Sequence, residues 1–128
     1  MEVTNLIDKI SKWKIKLTSD TEQSFDILIG IGPNNPNDEI DFFKKCWSFV
    51  TSKSELILLS DKSMKYKNHS GRLKEGDIVE VNVDRKKGDL SFSVNGKDYG
   101  LACSEIPKDE VLYPTVIIHD QNKSVEII

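Results

Sequence analysis

An all-β chain folded as a two-layer antiparallel β-sandwich, with about nine short strands and little helix, is what this sequence predicts. Three observations carry the prediction. Apolar side chains recur at every second position in Trp13, Ile15 and Leu17, in Val79, Val81 and Val83, and in Leu90, Phe92 and Val94, which is the period of a half-buried strand. Asn95-Gly96 joins two such runs, and that dipeptide is the strongest short hairpin signal because both central residues of a type I′ turn need φ > 0. Turn residues return often enough that no long helical period develops.

The first clear strand starts at Lys12, where Trp13, Ile15 and Leu17 alternate with Lys14, Lys16 and Thr18 and turn the lysines toward water. Ahead of it, Val3, Leu6, Ile7 and Ile10 fall at helical spacing over a turn or two, a pattern that fits a short helix or an irregular strand. Residues 1–11 are therefore read as an irregular lead-in to a single domain of residues 1–128. After a polar connection at 19–24, residues 25–31 (FDILIGI) are too apolar for a one-faced strand and belong in the middle of a sheet. Gly30 and Gly32 mark a close backbone approach or a bulge. The run Pro33-Asn34-Asn35-Pro36-Asn37 breaks regular structure, and residues 38–45 have room for one helical turn capped by Asn37.

Residues 46–50 (CWSFV) and 55–60 (ELILLS) read as a hairpin across 51–54. Residues 61–76 form a long polar insertion that holds Met64, Tyr66 and His69 and closes on the turn signal Lys74-Glu75-Gly76. A strand over 77–83 then leads into the hairpin strands and a strand over 97–103. A loop at 104–111, a strand over 112–118, a turn at 119–122 and a strand over 123–128 complete the chain.

With 30% charged and 38% hydrophobic residues and a net charge of −3, nothing draws the chain toward nucleic acid or an anionic membrane. Arg72 and Arg85 are its arginines, so arginine-driven phosphate recognition is not expected either. The N-terminus lacks the charged-then-apolar-then-small pattern of a secretory signal, and no apolar run approaches the ~20 residues of a membrane helix. The expected location is intracellular, in the cytoplasm. There Cys46 and Cys103 are expected to be small buried hydrophobes rather than a disulfide.

The motifs together resemble a SPRY domain, the module called B30.2 when an extra N-terminal segment precedes it. The resemblance rests on Gly76-Asp77-Ile78-Val79, on Asp84 through Gly88-Asp89-Leu90-Ser91-Phe92-Ser93-Val94-Asn95-Gly96, on Gly100-Leu101-Ala102 and on Leu112-Tyr113-Pro114-Thr115-Val116. Trp13, Gly30-Ile31-Gly32 and Cys46-Trp47-Ser48 fall where such domains have comparable motifs, so the similarity spans roughly residues 11–128. It departs from the family pattern at Cys103, where a Phe is frequent, and beside Trp47, where a Gly is. The chain also starts close to the core, without the extra segment of longer relatives. The resemblance implies a bent two-layer sandwich and a non-enzymatic protein-binding module.

The residues agree with that implication. His69 and His119 stand in different loops, and neither has a Cys or Asp at metal-ligand spacing, so no metal, cofactor or catalytic residue is expected. Gly30-x-Gly32 runs into Pro33 instead of a helix and fails the context of a dinucleotide loop. Trp13, Trp47, Phe25, Phe49 and Phe92 are assigned to the core by their alternation. If consecutive strands alternate in direction, the loops 33–45, 61–75 and 119–122 and the Asn95-Gly96 turn share one end. Long irregular loops on a rigid sandwich build recognition surfaces, and in peptide-binding relatives the corresponding loops supply the contacts. The expected partner-binding residues are Asn34, Asn35, Asp38, Phe42, Phe43, Met64, Tyr66, His119, Asp120 and Asn122. For Phe42 and Phe43 a second role stays open, that of tucking a helical turn onto the sandwich. The expected partner is another protein, not nucleic acid or membrane, with the chain itself a monomer or weakly self-associating. The alternative function is an architectural or self-association domain of a larger scaffold protein.

Overall fold

The alternating runs become ten antiparallel strands among the described residues of the computed structural model. They are β1 (Ile10–Leu17), β2 (Ile27–Gly32), β3 (Trp47–Val50), β4 (Glu55–Leu58), β5 (Lys62–Lys65), β6 (Ile78–Asp84), β7 (Asp89–Val94), β8 (Lys97–Cys103), β9 (Tyr113–Ile118) and β10 (Val125–Ile127). The structure describes residues 10–21, 27–35, 37, 41–52, 55–58, 62–66, 71–119 and 122–128, and for 10–11, 55–58 and 62–65 the backbone alone. Phe25, Asp38, His69 and Asp120 lie outside these residues.

Two five-stranded sheets form, ordered β10-β1-β6-β7-β8 and β5-β4-β3-β2-β9. Their inner faces carry the apolar residues of the alternating runs, so Ile15, Leu17, Val79, Val81, Val83, Leu90 and Phe92 meet Ile27, Ile29, Ile31, Trp47 and Phe49 in one core. Trp13 is half-buried against it. As its composition requires, β2 is buried on both faces, with Leu28 and Val50 forming a second, outer cluster under Phe43 and Ile117. Gly30 is needed there because a Cβ would overlap the Trp47 carbonyl oxygen of β3.

An aromatic cluster bridges the sheets. Phe49 on β3 packs edge-on against Phe92 on β7 at 5.4 Å and against Tyr66 at 6.0 Å, and Tyr66 contacts Tyr99 on β8 at 5.8 Å. Turns close as the sequence requires: Asn95 and Gly96 have φ of 53° and 84°, and the Asn95 side-chain oxygen accepts from the Ile78 amide at 2.9 Å. In the turn after β6, the Asp84 carboxylate accepts from the amides of Lys86 and Lys87.

Three details differ from expectation. Residues 61–76 are not wholly a loop, because Lys62–Lys65 pairs with β4 as an edge strand. The helical turn is a 3₁₀ turn at Phe42–Lys45 preceded by Asp41, which makes no side-chain cap, so Asn37 does not cap it. Strict alternation of strand direction holds, yet the added β5 inverts the parity of every later connection. Connections 18–26, 51–54, 66–77, 95–96 and 119–124 therefore share the end of the sandwich at Leu17. Connections 33–46, 84–88 and 104–112 share the end at Asp84. Backbone bonds from Leu73 to Thr51 and from Gly76 to Leu17 tie the first end, and Ile106 to Gly88 ties the second.

Because Phe49 has no exposed surface and touches three other rings, Phe49→Ala is expected to cost about 3–5 kcal/mol of unfolding free energy in a denaturant titration.

Candidate functional site

The 33–46 segment leaves β2 at the Asp84 end, and its 3₁₀ turn at Phe42–Lys45 lies against the outer face of the β5-β4-β3-β2-β9 sheet. That face is apolar at Leu28 and Val50, and Phe43 lies half-buried over it. This placement brings Phe43 edge-on to His119 at the opposite end, with ring centroids 6.0 Å apart and planes at 78°. The Lys44 ammonium lies 6.0 Å from the Phe43 ring centre and 3.8 Å from the Asp41 carboxylate. His119 and Asn122 are exposed and follow β9 directly. Phe43, Lys44 and His119 thus form an aromatic, cation-bearing surface on a rigid sheet.

The other expected residues are dispersed. Asn34 is exposed and Asn35 half-buried where the 33–46 segment begins. Met64 belongs to β5 opposite Leu56 instead of a loop. Phe42 is 4% exposed, so it anchors the segment and offers no contact surface. Tyr66, 3% exposed, is likewise a core residue. Its hydroxyl donates to the Gly100 carbonyl and accepts from the Phe92 amide at 3.3 Å. These two backbone groups need it because the β7–β8 register slips between Ser91 and Ser93, leaving Phe92 without a partner on β8.

That slip has a second effect, one that alternation in the sequence did not signal. On the outer face of the other sheet a hollow of about 230 Å³ opens among Asn82, Asp84, Lys87, Asp89, Ser91 and Asp98, with Gly100 and the exposed Leu101 at its rim.

Three titratable groups among the described residues are shifted by burial. Burial raises the Cys46 thiol from 9.0 to about 12, and burial, then Glu105 and Asp89, raise Cys103. Both thiols are free. Burial also raises the Tyr66 phenol to about 12, against the lowering effect of the Phe92 amide. Among the described residues no group of three or more His, Cys, Asp or Glu side chains is placed to hold a metal ion. None of their helices is long and apolar enough to cross a membrane.

The family model for the SPRY domain matches residues 10–128. The chain belongs to the SPRY family. Domains of this family are generally protein-interaction modules and typically non-enzymatic. The chain is 29% identical over 123 residues to SPRY domain-containing SOCS box protein 3 of Xenopus laevis, and equally so to that of Xenopus tropicalis. The match covers 91% of this chain and 33% of each relative, so the chain spans about a third of their length. The SPRY domain of human HERC1 superposes with a TM-score of 0.73 at 18% identity, over 97% of this chain and 77% of that one. A second human SPRY domain gives 0.71 at 14% identity, over 96% and 81%. At these identities the structures share the fold, an all-β sandwich as the sequence predicts.

Two measurements check the assignments. Tyr66→Phe leaves the Phe92 amide and the Gly100 carbonyl without their partner and is expected to cost about 2–4 kcal/mol, read from a shifted urea midpoint. Since raising a thiol pKa removes thiolate at a given pH, Cys46 should resist alkylation at about pH 9 in the native protein. It should react only on unfolding, whereas half-buried Cys103 labels first; peptide mapping of the labelled sites reads the order.

Proposed function

We propose that this chain is a non-enzymatic SPRY module that binds a short segment or surface patch of a partner protein. The contact surface is the one where the 33–46 segment meets the 119–124 connection. The observation that carries the reading is the Phe43–His119 pair, two residues from separate connections brought together on a covered, rigid sheet. Aromatic anchors flanked by polar groups are the residues that dominate protein interfaces. Asn122 is the polar candidate in the 119–124 connection, Asn34 and Asn35 are candidates at the Asp84 end, Asp38 and Asp120 are candidates from the sequence, and Phe42 and Tyr66 support the scaffold. The SPRY family membership supports binding, and the raised thiol pKa values argue against Cys46 and Cys103 as nucleophiles. A place in the cytoplasm, within a single domain of residues 1–128, goes with this reading.

A random-peptide display library provides the test. Peptides selected on the native chain are expected to bind F43A/H119A at least about tenfold more weakly, at a temperature where a thermal melt shows the variant folded, as loss of a central anchor implies. Peptides retained equally by the folded double variant would remove the surface from consideration.

A further inference from the structure

The two outer faces of the sandwich are finished differently. The face of β5-β4-β3-β2-β9 lies under Phe43 and its segment, whereas that of β10-β1-β6-β7-β8 carries polar side chains that are exposed or half-exposed. Residues opposite each other in an antiparallel ladder share a face. Lys12, Lys14 and Lys16 of β1 therefore stand on this face beside Asn82, Glu80 and Ile78 of β6. Beyond β6, Asn82 adjoins Ser91, Asp84 adjoins Asp89, and Ser93 of β7 adjoins Asp98 of β8. Lysines thus lie on one side of β6, with Glu126 of β10 beside Lys16 at that edge, and on the other side lie the carboxylates of the hollow.

We propose that this face is a self-complementary interface between two copies of the chain, related by a two-fold axis running along β6. Because β6 is the middle strand of five, such an axis carries β1 of one copy over β7 of the other without changing its level along the strands. Lys12 then arrives over Ser91, in the hollow next to the Asp84–Asp89 pair, and Lys14 arrives over Ser93 beside Asp98. The symmetry makes every such contact twice. On the axis itself Glu80 meets its own copy, flanked in each chain by Lys12 at 3.7 Å and by Lys14 opposite it.

The size and chemistry of the hollow select this occupant. At about 230 Å³ it is smaller than the ~300–1,000 Å³ of small-molecule clefts and suits one long side chain. Its carboxylates are not gathered closely enough for a metal ion. One ammonium, Lys87, lines it against three carboxylates. Lys14, Lys16 and Lys87 make no ion pair among the described residues, and Lys12, 59% exposed, is held by a surface bridge of the kind that exchanges readily. The interface rests on exposed ion pairs, so it is weak and salt-sensitive. It lies on the other sheet from Phe43 and His119, and so stands or falls separately from the peptide-binding reading.

Sedimentation velocity of the 128-residue chain tests it. A reversible dimer is expected at about 50 mM salt and a monomer at about 500 mM, where screening is short-ranged. K12E/K14E and D89K/D98K should each weaken the dimer about tenfold or more. Their equimolar mixture should restore it, because each reversed lobe then meets a reversed partner. Circular dichroism melts confirm that both variants fold; if either melts early, the neutral K12Q/K14Q and D89N/D98N variants replace them, each expected to weaken the dimer. A monomer at low salt, a dimer indifferent to the variants, or a mixture of folded reversal variants that stays monomeric overturns the proposal. A monomeric chain whose Ser91 and Leu101 amides shift in NMR spectra on adding a lysine-rich peptide also overturns it, and assigns the face to a basic segment of another protein.

Discussion

The hydroxyl of Tyr66 is the point on which the two halves of this molecule depend. Between Ser91 and Ser93 the ladder joining β7 to β8 slips, and the slip leaves the Phe92 amide and the Gly100 carbonyl facing inward without partners across that ladder. Buried backbone groups in that state destabilise a fold by several kcal/mol. Tyr66 reaches them from the end of the opposite sheet, accepting from one and donating to the other, while its ring packs against Phe49, Phe92 and Tyr99. One side chain therefore holds the sheets together and makes an irregular edge strand tolerable. The same irregularity turns Gly100 and Leu101 outward to rim the hollow on the far face.

Covering one outer face and leaving the other bare is the second organising choice. A sheet whose central strand is apolar on both sides must bury both, and β2 does so beneath the 33–46 segment. The segment begins and ends at the Asp84 end of the sandwich, and between them its 3₁₀ turn sets Phe43 over Leu28 and Val50. A residue from a connection that begins far from His119 is thereby delivered beside it. The surface proposed for partner binding is thus a by-product of covering the sheet. The uncovered face keeps the ordinary alternation of lysines and acids, sorted by strand.

Much of this was legible in the order of residues. The period-two runs of β1, β6 and β7, the double burial of β2, the Asn95-Gly96 turn and the SPRY motifs each follow from local rules, since alternation and positive φ leave few other conformations. The strand at Lys62–Lys65 was not legible. Its residues, KSMK, show no apolar alternation, and they become a strand by pairing with β4 at a sheet edge, where polar side chains are tolerated. That one four-residue strand decides at which end of the sandwich every later connection lies. The burial of Tyr66 was not legible for the same reason. In a polar loop a tyrosine reads as an exposed anchor, and the backbone groups that claim its hydroxyl belong to a distant hairpin.

By itself the sequence determined the fold class, the family and the strands with clear alternation, because these depend on neighbours within a few residues. The tertiary structure decided which aromatic residues are buried and which lie at the surface. Phe43 and Phe42 are adjacent in sequence, yet one packs beside His119 on a surface and the other is buried. It also decided where charges gather, since lysines on β1 and carboxylates on β7 and β8 become two sides of one face only after β6 is placed between them. Side chains far apart along the chain acquire a common function through register, and register is fixed by the pairing of whole strands rather than by any local signal.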